Sequence, residues 1–207
     1  IDEFVVVSKT RMAIVKFEDN RFRVVENYSF GNRYKANNVN LADLDGDGRA
    51  EIYVSGSEKF KASSRIITWS RDTGVQERDK YIRFYIRPVE VEDGKTVLLG
   101  QRANQDVDAG LLNKGLFILE RNTQNGQLTG WKRYPLPENL NLFDFVKADI
   151  DGDGGLEIVA VDKNEKLLVY ETSNELVWVS ESDYGGSTNF FGPASSSAIN
   201  ANDAGIS

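Results

Sequence analysis

The chain has 207 residues, 40% of them hydrophobic, and a net charge of −7. It contains no cysteine and no histidine, which excludes disulfides, thiol nucleophiles, a Ser-His-Asp triad and zinc sites built on thiolate or imidazole. The acidic balance argues against a nucleic-acid partner, and no apolar run approaches the roughly 20 residues of a membrane helix. The metals left are those content with oxygen ligands, chiefly calcium and magnesium.

Helical patterning is nearly missing. The predicted elements are short β-rich runs, in order Phe4–Ser8, Met12–Phe17, Phe22–Val25, Glu51–Val54, Arg65–Trp69, Tyr81–Ile86, Thr96–Leu99, Leu116–Glu120, Phe145–Ala148, Glu157–Val161, Leu167–Tyr170 and Leu176–Val179. The first opens almost at residue 1, so the chain reads as a processed or truncated piece. Many short strands between Gly, Asn and Asp turns indicate a sandwich, a barrel or a propeller.

An internal repeat decides among these. Leu41–Ile52 and Lys147–Ile158 share one register, 106 residues apart (Asp43 to Asp149). A degenerate copy lies between them, with Asp93-Gly94 on Asp47-Gly48. A partial copy opens the chain, with Glu3 on Glu51. The implied repeat of about 50 residues is that of a propeller blade. The expected fold is therefore an all-β propeller of four-stranded antiparallel blades. It has about four blades' worth (1–37, 38–80, 81–138 and 143–183) and belongs to a larger ring. Residues 1–191 form the propeller segment and 192–207 a Gly-, Ser-, Ala- and Asn-rich tail.

Both intact copies read Asp-x-Asp-Gly-Asp-Gly-x-x-Glu. Carboxylates at positions 1, 3 and 5 of a tight loop converge on one point, and glycines at 4 and 6 permit the backbone to fold around an ion. The first loop offers Asp43, Asp45, Asp47, the Arg49 carbonyl and Glu51. The second offers Asp149, Asp151, Asp153, the Gly155 carbonyl and Glu157. An EF-hand would need Glu at position 12 and flanking helices; position 12 is Val54 or Ala160 and the flanks are strands. A metal-free acidic turn would crowd four carboxylates in each loop, so two calcium sites are expected. The middle copy has Val89, Val91 and Val97 at ligand positions and should fold without metal.

The two loops resemble FG-GAP (VCBS) repeats, the family that builds the integrin α-chain propeller and many bacterial secreted proteins. The resemblance covers about residues 1–191. It implies structural calcium in loops joining the first two strands of a blade, and an extracellular, cell-surface or periplasmic location. Glu51 and Glu157 stand where the family more often has Asp.

Other features carry less. Trp69, Trp131 and Trp178 are expected to pack between blades rather than stack on sugars. Phe190-Phe191 reads as a contact site or the next blade's first strand. Arg83, Arg87, Arg102 and Lys114 read as a solvated face rather than an anion pocket. Asp72-Thr73-Gly74 is a hairpin turn, and Ser187-Thr188 has no histidine to activate it. With no cluster of ionisable groups outside the loops, a non-catalytic binding, adhesion or surface-assembly module is expected. Its partner would be a protein or carbohydrate surface, with remaining blades or a partner chain completing the ring. A carbohydrate-active enzyme or a lectin-like domain on the same propeller is the alternative.

Overall fold

The structure, a computed structural model, describes residues 3–59, 61–91, 95–103, 114–122, 128–162 and 164–184. Asp93-Gly94, Ser187-Thr188, Phe190-Phe191 and the tail lie outside them. Among the described residues there are sixteen strands and no helix, arranged in four antiparallel sheets like propeller blades. The chain divides into two compact units, one with residues 1–85 and the other with residues 86–197.

The first unit holds two sheets. One has the order β1 (Glu3–Val7), β2 (Arg11–Glu18), β3 (Arg21–Ser29). The other has the order β4 (Tyr34–Ala42), β5 (Glu51–Glu58), β7 (Ser64–Ser70), β8 (Gly74–Ile82), with β6 (Lys61–Ala62) paired to β5. Strand alternation sends Met12 and Ile14 to one face of β2. There they join Phe30, Tyr34, Ile52, Val54 and Ile67 in the core between the two sheets. Gly56 lets the Tyr34 ring cross β5, since a Cβ there would stand 2.2 Å from the phenol oxygen.

Arg65, 7% exposed, ties the same two sheets together. It lies against Glu77, donates to Phe30 O at 3.0 Å and to Tyr28 Oη at 3.3 Å, and stacks 4.6 Å from the Tyr34 ring centroid. Burial, reinforced by Glu77, pushes the Tyr28 phenol up to about 12, so it stays neutral.

The second unit also holds two sheets. One has the order β12 (Leu128–Arg133), β11 (Phe117–Arg121), β10 (Thr96–Gln101), β9 (Tyr85–Glu90), its Tyr85 belonging to the first unit. The other has the order β13 (Phe145–Ala148), β14 (Glu157–Val161), β15 (Lys166–Tyr170), β16 (Leu176–Asp183). Ile86, Leu99, Leu116, Leu142, Phe145 and Ile158 are its largest fully buried side chains. Arg87, read from sequence as part of a solvated face, is 5% exposed instead. It donates to Leu142 O at 2.9 Å and Phe145 O at 2.8 Å. Burial lowers its pKa to about 10, against the attraction of Asp144, and leaves it charged at neutral pH.

Strands β4, β8 and β12 were not predicted. Each is the edge of its sheet, and an edge strand needs backbone pairing rather than an apolar face. The predicted run Tyr81–Ile86 is broken: β8 ends at Ile82, Arg83 and Phe84 bend, and β9 starts at Tyr85. Trp69 packs on the core of the first unit, whereas Trp131 and Trp178 are 53% and 49% exposed.

Candidate metal centres

Both acidic loops join the first two strands of a four-stranded path. Asp43–Ala50 links β4 to β5, and Asp149–Leu156 links β13 to β14. Each strand pair brings the loop's ends together in register, with Ala42 opposite Glu51 and Ala148 opposite Glu157. The reversal between them relies on left-handed glycines. Gly46 and Gly48 have φ of 74° and 84°, and Gly152 and Gly154 have 83° and 93°, values L side chains rarely adopt.

The first aspartate organises each turn. Asp43 Oδ1 accepts from Gly46 N–H at 2.7 Å and Oδ2 from Gly48 N–H at 2.8 Å. Asp149 does the same with Gly152 at 2.7 Å and Gly154 at 3.1 Å. Asp47 and Asp153 each hold the N–H two residues on, from Arg49 at 2.8 Å and Gly155 at 2.7 Å. These bonds aim the aspartates at a common point. Asp43, Asp45 and Asp47 place one carboxylate oxygen each within 4.8 Å of one another, as do Asp149, Asp151 and Asp153. All six side chains are exposed.

Glu51 and Glu157 are different. Both are 2% exposed, and one oxygen of each is turned to the backbone. Glu51 Oε2 accepts from Leu44 N–H at 3.0 Å and Glu157 Oε2 from Ile150 N–H at 2.9 Å. These bonds clamp each loop to the strand that follows it. Glu51 Oε2 also accepts from Tyr53 Oη at 2.6 Å, and the matching position of the second loop is Val159. The two sites are therefore supported unequally. Tyr53 escaped sequence reasoning, although a residue two along a strand lies on the same face.

The donor set is purely oxygen and its charge is concentrated, so the triads could hold a hard metal ion. Two oxygens on a common ion stand at most about 5 Å apart when metal–oxygen bonds are about 2.3–2.6 Å. The observed spacing meets that limit in both loops.

Comparison with known proteins gives one family match. Residues 1–54 match the model of an FG-GAP-like repeat. The matched stretch runs from β1 through the first acidic loop into β5. No curated protein matches the chain. Among solved structures it is similar to a protein of unknown function from Bacteroides caccae, with 16% identity and a TM-score of 0.42. That alignment covers 85% of this chain, which spans 56% of the length of the other. The strand–acidic loop–strand unit lies within that match, and residues 1–54 are similar to an FG-GAP-like repeat.

Proposed function

We propose that the chain is a calcium-dependent, non-catalytic module of an extracellular or surface β-propeller, presenting a contact face to a protein or carbohydrate partner. The observation that carries this reading is the pair of convergent aspartate triads at equivalent turns. In each loop, calcium would take the three aspartates and the carbonyl of Arg49 or Gly155, with Glu51 or Glu157 completing or buttressing the shell and water supplying the rest. Its charge offsets the mutual repulsion of the carboxylates. FG-GAP repeats are typical of extracellular or surface proteins, where calcium is abundant enough for exposed loops. No described helix is long and apolar enough to cross a membrane. Further blades or a partner chain would complete the ring.

A sugar-binding face is the second reading, favoured by the exposed Trp131 with Arg102 stacked 4.9 Å from its ring. Calorimetry tests the calcium proposal. Two ions should bind per chain, and Asp45→Ala and Asp151→Ala should each remove about one. Because the ion binds only the folded loop, saturating calcium at about 100 times Kd should raise stability by about 3 kcal/mol per site. Identical melting curves in calcium and in chelator would refute the proposal.

A further inference from the structure

The second unit contains a cavity of about 280 Å³ beside the acidic loop of residues 149–157. Its floor is Leu156 and Ile158, faced by Val91 and Leu136. Lys147, directly opposite Ile158 in the β13–β14 ladder, also lines it. Lys147 is half-buried, and its ammonium meets no carboxylate and no hydrogen-bond acceptor among the described residues. In the other loop-bearing sheet the matching residue is Leu41, and Ala50 stands where Leu156 does. The lysine and Leu156 are therefore particular to this sheet, whereas Ile158 has its counterpart in Ile52.

Thr172 and Asn174 bring hydrogen-bond donors to the cavity. The Thr172 hydroxyl has no partner among the described residues. Thr172 is held against the loop, since a Cβ on Gly155 would come within 3.1 Å of its Cγ2. Asn174 spends one amide N–H on Pro135 O at 2.8 Å and keeps the other. A half-buried lysine without a counter-ion among the described residues favours an anion, because burial raises the worth of a charge pair above its value in water. The volume lies near the lower limit of small-molecule clefts, about 300 Å³.

We propose that this cavity binds a small carboxylate with a short apolar body, the carboxylate on Lys147 and Thr172 and the apolar part on Leu136, Leu156 and Ile158. The site is independent of the metal reading, since none of its polar groups belongs to the aspartate triads. Methyl NMR of the protein, titrated with isovalerate and separately with isovaleramide, tests it. Isovalerate should shift the Leu136, Leu156 and Ile158 methyls saturably and bind about tenfold more tightly than the amide, the margin of a charge-assisted over a neutral hydrogen bond. Lys147→Met should abolish that preference and Lys147→Arg should keep it. No saturable shift, equal affinity for acid and amide, or a preference that survives in Lys147→Met would overturn the proposal.

Discussion

Single carboxylates in this chain serve as turn-builders wherever they accept backbone N–H groups. Asp162 shows it without any metal in question. Its Oδ1 accepts from Asn164 N–H at 2.8 Å and Lys166 N–H at 2.9 Å in the β14–β15 turn. Burial is the largest single influence and opposes ionisation, but the hydrogen bonds from Lys166 and Asn164 and the Lys166 charge together outweigh it and lower the pKa. Because the folded value lies below the unfolded one, the contribution is present above about pH 4 and is lost as pH falls through the folded value. Asp162→Ala should cost about 1 kcal/mol at neutral pH, the net worth of such hydrogen bonds. It should cost less at a pH below the folded value, where the carboxyl accepts the same N–H groups only as a neutral acid, as denaturant melts at the two pH values would register. The aspartates of the two loops use the same local bonding, but three of them share one point, and that convergence separates a candidate ion site from an ordinary turn.

At the scale of elements, the sheets of the first unit are joined by one charged side chain as well as by apolar packing. Arg65 on β7 reaches Tyr28 on β3, the Phe30 carbonyl and Glu77 on β8. Removing one partner of a nearly buried pair strands the other. Arg65→Ala should destabilise the protein by about 3 kcal/mol, whereas the double variant Arg65→Met with Glu77→Leu should recover most of that loss. Chemical denaturation reads both, and a single variant as stable as the parent would show that the bridge contributes nothing. The edge strands follow a different logic. Strand β8 carries Glu77, Arg78, Asp79 and Lys80 and is protected by charge, while Leu176–Val179 on β16 is wholly apolar and at least 42% exposed.

At the scale of the molecule, each compact unit carries one acidic loop, Asp43–Glu51 in the first and Asp149–Glu157 in the second. Calcium should therefore act on each unit through its own loop. Hydrogen exchange should show protection of β4–β5 that Asp45→Ala removes, and protection of β13–β14 that Asp151→Ala removes. Loss of protection in both places from either variant would contradict it. The outer face of the first sheet is also informative. Phe4, Val6, Phe17, Phe22 and Val24 are 42–70% exposed, and register places Phe4 and Val24 opposite Val15, with Phe17 opposite Phe22. A contiguous apolar face of this kind is expected to be covered by further chain or by a partner. The isolated chain should self-associate in light scattering, and Phe22→Glu should return it to monomer. A monodisperse parent chain would count against the need for covering blades or a partner.

What the sequence determined by itself is local. Alternation identified the inner strands, because a strand buried on one face must repeat every second residue. The Asp-x-Asp-Gly-Asp-Gly spacing placed the candidate ligands, because three carboxylates within five residues and two left-handed glycines can turn in few ways. Tertiary structure decided the rest. Polar β4, β8 and β12 become strands only because a neighbour offers its backbone. Tyr53 supports one loop and not the other, Arg87 is buried on the carbonyls of Leu142 and Phe145, and Lys147 meets a cavity instead of a carboxylate. Each of these depends on groups distant in sequence or on which face of a sheet is covered, and residue spacing along one strand carries no record of what packs against it.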